Sequence, residues 1–147
     1  MALMGDIILS AASAKFTMAY TKIGVSPDGS STFTLPRLVG MARAKEMILL
    51  NPVYTAEEAL AKGLVTAVVP DDQLMARALE IATQLASGPT AAYGEAKRLL
   101  ADSFSNSLET QMEMETRAIA GLSANTRDAR EGFKAFSEKR KPVFEGR

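Results

Sequence analysis

The chain has 147 residues, 47% of them apolar and 23% charged, and its 17 basic and 17 acidic side chains give a formal net charge of zero. That is the composition of a globular domain with a sizeable core, and nothing global in its charge attracts nucleic acid or an anionic membrane. Cysteine and histidine are both absent, which excludes disulfides, thiolate and imidazole metal sites and a Ser-His-Asp triad, so acid–base chemistry falls to Asp, Glu, Lys, Tyr or backbone groups.

The opening stretch MALMGDIILSAASA ends like a signal-peptide cleavage site. No Lys or Arg precedes its apolar run, however, and Asp6 interrupts it, so a buried strand over Ile7 to Ser10 is the better reading. No apolar run is long enough to span a membrane, and a cytoplasmic location is expected. A second extended piece is expected around Phe16 to Met18. Lys22 to Gly29 reads as a loop that closes in a Pro27-Asp28-Gly29 turn. Ser30, Ser31 and Thr32 are all good N-cap residues, so a short helix is expected to start there and run toward Leu38. Pro36 fits its first turn only if the helix starts late, and Gly40 is a natural stop.

Met41 to Leu50 has helical spacing and is broken by Asn51-Pro52. Thr55 to Glu58, TAEE, spells a capping box for a helix that ends at Gly63. Leu64 to Val69 is rich in β-branched residues and reads as a strand. Pro70-Asp71-Asp72 then opens a helix to about Ala86, with Leu74, Ala78, Ile81 and Leu85 on one face. Gly88-Pro89 separates it from helices over Thr90 to Ser103, Leu108 to Leu122 and Asn125 to Lys139. Within them Glu109, Glu113 and Arg117 mark an exposed face with one favourable i,i+4 pair. Two or three short strands followed by helices make too small a sheet to bury both its faces. Further strands are therefore expected from an N-terminal segment or a partner, and the apolar surface left open should drive self-association.

The segments GDIILSAASAKF, KIGVSPDGSSTFTLPRLVGMARAKEMIL, TAEEALAKGLVTAVVP, SGPTAAYGEAKRLL and REGFKAFSEKRKPVFEGR follow one another, in register, over essentially the whole chain. In that order they resemble the crotonase superfamily, the enoyl-CoA hydratase/isomerase family, and specifically its C-terminal portion. The resemblance implies an α/β fold. Residues 1–70 would form part of a ββα spiral with few short strands, and residues 71–147 a helical region of the trimerisation type. It implies an acyl-CoA substrate, with coenzyme A entering as part of that substrate and no separate cofactor or metal. It also implies a homo-oligomer, a trimer or dimer of trimers. Family members polarise the thioester carbonyl with two backbone N–H groups while nearby carboxylates move protons. The stretches that supply both amides, the first of two hydratase glutamates and most of the CoA surface correspond to positions upstream of Met1.

The stretch IGVSPDGS is similar to the IGL-x-PD-x-G segment of the family members that shift double bonds, among them dienoyl-CoA isomerases and the ring-opening isomerases of phenylacetate breakdown. Asp28 is accordingly the expected acid/base; the alternative is a turn aspartate that bonds its own backbone. The position of the second hydratase glutamate is matched by Tyr20, which is not an ionised base near neutral pH, and this speaks for isomerisation over hydration. Ser30-Ser31 stand where the family often has two glycines, and either narrow the pocket or cap the next helix. Met18, Tyr20, Phe33 and Leu35 can line an acyl pocket or simply be core. Phe133 and Phe136 share a helical face. In the family this helix packs over a pocket and basic residues near it meet CoA phosphates, which would make Phe136 and Lys139, with Arg140 and Lys141, substrate contacts; the alternative is a solvated basic tail. Two functional readings follow: an enoyl-CoA isomerase-like protein built on Asp28, or a catalytically silent fragment without an oxyanion hole that acts only by association.

Overall fold

The computed structural model describes residues 2–147. They divide into two compact units, one up to Ala78 and one from Leu79 onward.

The first unit carries four short strands. β1 (Leu9–Ala11) pairs in parallel with β4 (Ala67–Val69), and β2 (Lys15–Phe16) pairs antiparallel with β3 (Tyr54–Thr55). The strand expected over Ile7 to Ser10 begins later, and only the end of the stretch from Leu64 to Val69 is paired. Leu64 and Val65 are drawn into the core instead, at 2% and 5% exposure. The β1–β4 pair is lengthened by local bonds: Thr66 N–H donates to the Ile8 carbonyl at 2.7 Å, and Ala12 N–H to the Val69 carbonyl at 2.9 Å. Past its end, Asp71 accepts the Ser13 N–H at 3.0 Å and the Ser13 hydroxyl. Those bonds hold the Asp71 carboxyl below its ordinary value. β3 was not legible in the sequence, because two residues after a Pro are too short to show alternation.

Three helices complete this unit: α1 (Ser31–Val39), α2 (Met41–Leu50) and α3 (Ala56–Ala61). α1 starts at once after the Pro-Asp-Gly turn, so Pro36 lies beyond its first turn. The Thr32 carbonyl thereby loses its usual donor, because a proline has no N–H to give. Gly40, at φ 80°, ends α1 by donating to the Pro36 carbonyl at 3.0 Å. The capping box is present: Glu58 N–H donates to Thr55 Oγ1 at 3.2 Å, and Thr55 N–H to Glu58 Oε2 at 2.8 Å. α1 and α2 pack together. The core is Leu35, Ala44, Met47, Tyr54, Ala59, Leu64 and Val65, flanked by Phe16 and Met18. α2 contributes Ala44 and Met47, three apart on one face.

A 3-10 turn over Asp71–Gln73 precedes α4 (Leu74–Ala86), which runs across the boundary between the units. The helix thus begins later than Pro70-Asp71-Asp72 suggested, since Asp71 is held by Ser13. The second unit continues with α5 (Thr90–Asp102), α6 (Leu108–Asn125) and α7 (Arg127–Ser137). α6 and α7 start at side-chain caps: Ser107 Oγ accepts the Thr110 N–H at 3.2 Å, and Thr126 Oγ1 the Ala129 N–H at 3.1 Å. The expected Glu113–Arg117 pair forms at 2.7 Å and is exposed. The tail folds back onto the start of α7. Asp128, 4% exposed, accepts N–H groups of Glu145 at 2.7 Å and Gly146 at 2.8 Å. Hydrogen bonds to a charged group each contribute about 1.5–3 kcal/mol. Among the described residues no helix is long and apolar enough to cross a membrane.

Glu131 strengthens the same return. Its carboxylate receives two guanidinium bonds from Arg140, at 2.6 and 2.9 Å, and the Val143 N–H at 3.0 Å. These bonds hold the Glu131 carboxyl down at about 2. A carboxyl depressed on folding adds stability that is present above its unfolded value and fades as pH falls toward the folded one. The melting temperature of Glu131→Gln, followed by circular dichroism, should therefore lie below wild type at pH 6. The gap should shrink as pH falls from about 4.5 toward 2, close to the point where the wild-type carboxyl protonates.

Candidate functional site

Two local turns build the site. The first is a 3-10 turn over Thr21–Ile23, entered at Tyr20. The Tyr20 carbonyl accepts the N–H groups of Ile23 at 3.1 Å and Val25 at 3.2 Å. Gly24 takes φ 79° to reverse the chain, a conformation in which a side chain would be strained. The turn is pinned to the end of α2: the Thr21 hydroxyl donates to the Ile48 carbonyl, and Asn51 Nδ2 donates to Thr21 Oγ1 at 2.8 Å. The second is the Pro-Asp-Gly turn. There the Asp28 carbonyl accepts the Ser31 N–H at 3.0 Å and the Ser31 hydroxyl. Asp28 is thus tied through its backbone to the first residue of α1.

The two turns bring Tyr20 and Asp28 together. The Tyr20 hydroxyl donates to Asp28 Oδ1 at 2.6 Å, a short, charge-assisted contact. Among the described residues Asp28 Oδ2 makes no hydrogen bond. The bond to the carboxylate, and then its charge, raise the Tyr20 phenol above its ordinary value of 10.0. Tyr20 is therefore a neutral donor at physiological pH and not a base.

Both residues line a cavity of about 560 Å³ within the first unit. Phe16, Met18, Met47 and Leu64 give it apolar walls. Ser31 and Thr34, one helical turn apart on α1, join Tyr20, Asp28, Lys15 and Thr17 among its polar residues. An apolar cleft with a few convergent polar groups is the usual form of a small-molecule site. Here it offers one carboxylate, and among the described residues no cluster of three or more acidic side chains could hold a metal.

Of the candidate residues, Asp28, Tyr20 and Met18 line this cavity and four do not. Leu35 is fully buried in the core at 0% exposure. Phe33 faces outward, 61% exposed, with the Arg37 guanidinium 3.4 Å from its ring centre. Phe136 and Lys139 belong to the second unit, where Phe136 is 86% exposed. Arg140 beside them is held by Glu131 and Glu138. Phe133, unlike Phe136, lines a separate apolar cavity of about 370 Å³ between α5, α6 and α7. Ser30 does not cap α1, since its hydroxyl donates to the Gly29 carbonyl at 2.6 Å. Sequence reasoning missed the Tyr20–Asp28 bond. Its signal is the glycine between them, which lets the chain double back.

The model of the family described as Enoyl-CoA hydratase/isomerase matches residues 1–147. The chain belongs to the enoyl-CoA hydratase/isomerase family. It is 41% identical, over its full length, to the 1,2-epoxyphenylacetyl-CoA isomerase of Escherichia coli K12, covering 56% of that protein. It is 42% identical to a "Probable enoyl-CoA hydratase" of Rhodobacter capsulatus, covering all of this chain and 57% of that one. The solved enoyl-CoA hydratase of Bacillus anthracis superposes on 99% of the chain and 56% of its own, at TM-score 0.89 and 37% identity. The chain thus spans a little over half the length of the relatives it matches, and its helix-rich α/β fold with few short strands is the family's own fold.

The Tyr20–Asp28 contact is open to direct reading. With isotope-labelled tyrosine, nuclear magnetic resonance should place the Tyr20 ionisation above that of a free phenol, and Asp28→Asn should bring it down toward about 10. An unchanged midpoint would mean that the carboxylate does not contact the phenol.

Proposed function

We propose that the chain carries the proton-transferring carboxylate of an enoyl-CoA isomerase, with Asp28 as the acid/base. The observation that carries this reading is the cavity. One carboxylate, with one oxygen left unengaged by the described residues, faces an apolar wall suited to an acyl chain. The neighbouring position is a neutral tyrosine, and among the described residues the cavity holds no second carboxylate to activate water. The 41% identity to a relative named as an isomerase supports the choice.

The step is balanced in protons. Asp28 takes a proton from the carbon next to the thioester carbonyl, and the C–H electron pair spreads into the conjugated enolate. The same carboxyl returns the proton two carbons further on, so the double bond moves and nothing is gained or lost. One carboxylate suffices, whereas hydration also requires an activated water. Enolate charge needs preorganised donors, each contributing about 3 kcal/mol to the transition state. In this reading they come from the part of the relatives' length that has no counterpart in these 147 residues. Coenzyme A enters only as the substrate's own group.

Ile23, Phe33, Leu38 and Leu50 are exposed at 76%, 61%, 41% and 74%. Apolar side chains so open favour association with further copies or with a chain supplying the part of the relatives' length that has no counterpart here. The same surface supports a second reading, a silent fragment that acts only through association.

Mass spectrometry of solvent deuterium entering a β,γ-enoyl-CoA separates the two. Wild type should exchange, and Asp28→Asn should lose at least about a hundredfold in rate. No exchange by wild type would favour the silent fragment, and exchange that survives in Asp28→Asn would rule out Asp28 as the acid/base.

A further inference from the structure

We propose that Tyr20 is a positioning residue for Asp28, holding Oδ1 so that Oδ2 alone is presented to the substrate for proton transfer. The inference rests on the isomerase reading above and adds to it a role for a second residue. Both partners are anchored by their backbones. Tyr20 is fixed by the turn that Ile23 and Val25 close on its carbonyl, and Asp28 by Ser31 at the head of α1. The phenol bridges these two anchors at 2.6 Å.

That bridge answers a mechanical problem. Asp28 is exposed and sits on a turn, where a lone carboxylate would rotate about its side-chain bonds and offer either oxygen. A carrier that must take a proton from one carbon and give it to another works best with a single oxygen held near both. The Tyr20 donor removes one oxygen from the competition and fixes the plane of the other. The phenol stays protonated because the carboxylate itself raises its ionisation, so the clamp persists across the physiological range. Tyr20 lines the same cavity as Asp28, so the donor lies beside the carboxylate it holds.

The test follows conversion of a β,γ-enoyl-CoA to its conjugated isomer by ultraviolet absorbance, with wild type, Tyr20→Phe and Asp28→Asn in parallel. Tyr20→Phe removes one oxygen atom and keeps the ring. It should lower kcat about tenfold and leave KM within about twofold, because the loss falls on the transfer step and not on binding. A 3-fluorotyrosine at position 20 keeps the donor and should keep kcat within about twofold of wild type. Unchanged kcat in Tyr20→Phe, with Asp28→Asn inactive, overturns the positioning role and leaves the isomerase reading standing. A kcat loss in the fluorotyrosine protein as large as in Tyr20→Phe also overturns it. No turnover by wild type overturns both.

Discussion

A hydrogen bond of 2.6 Å between Tyr20 and Asp28 is the constraint on which the site depends. Neither residue lies in a regular element of any length. Each stands in a turn, and each turn is fastened to a helix: the first to the end of α2 through Thr21 and Asn51, the second to the start of α1 through Ser31. α1 and α2 in turn pack over Leu35, Ala44 and Met47. The core therefore sets the helices, the helices set the turns, and the turns bring a phenol and a carboxylate eight residues apart into contact. Polar side chains held on turns that a rigid core positions are a common arrangement in binding and catalytic loops.

Much of this architecture could be read from the residues. The capping box at Thr55 and Glu58, the glycine stop at Gly40 and the asparagine stop at Asn51 all act locally, and local chemistry survives into the fold. The strands were less legible. Leu64 and Val65 have strand composition but serve as core, and β3 is too short to leave a periodic trace. Asp28 could be singled out by its resemblance to a family segment, whereas Met18, like Phe33 and Leu35, could be assigned from the sequence only to a pocket or to core. Phe33 and Leu35 could not be sorted by type, because a helix alternates its faces: Thr34 turns to the cavity, Leu35 to the core and Phe33 to solvent. The Tyr20–Asp28 bond is tertiary, and only its glycine hinge is visible in one dimension.

On the isomerase reading, these 147 residues supply part of a site. It spans a little over half of the relatives it matches. It holds an acid/base candidate, apolar walls and a hydroxyl donor, but a thioester enolate needs donors at its oxygen as well. Exposed apolar side chains in the first unit are physically consistent with surfaces made to be covered. The second unit contributes a different kind of order. It clamps its own tail through Asp128 and Glu131, and its cationic Arg140 is committed to carboxylates, not left for a ligand.

Whether the cavity beside Asp28 receives an acyl group is the central claim, and occupancy tests it without requiring turnover. Methyl resonances of labelled methionine would be followed while a saturated acyl-CoA, which cannot isomerise, is titrated in. Met18 and Met47 line the cavity, whereas Met75 and Met112 lie elsewhere at 69% and 57% exposure. The account predicts saturable shifts at Met18 and Met47 with Met75 and Met112 unmoved. Silence at Met18 and Met47 at saturating ligand would contradict it.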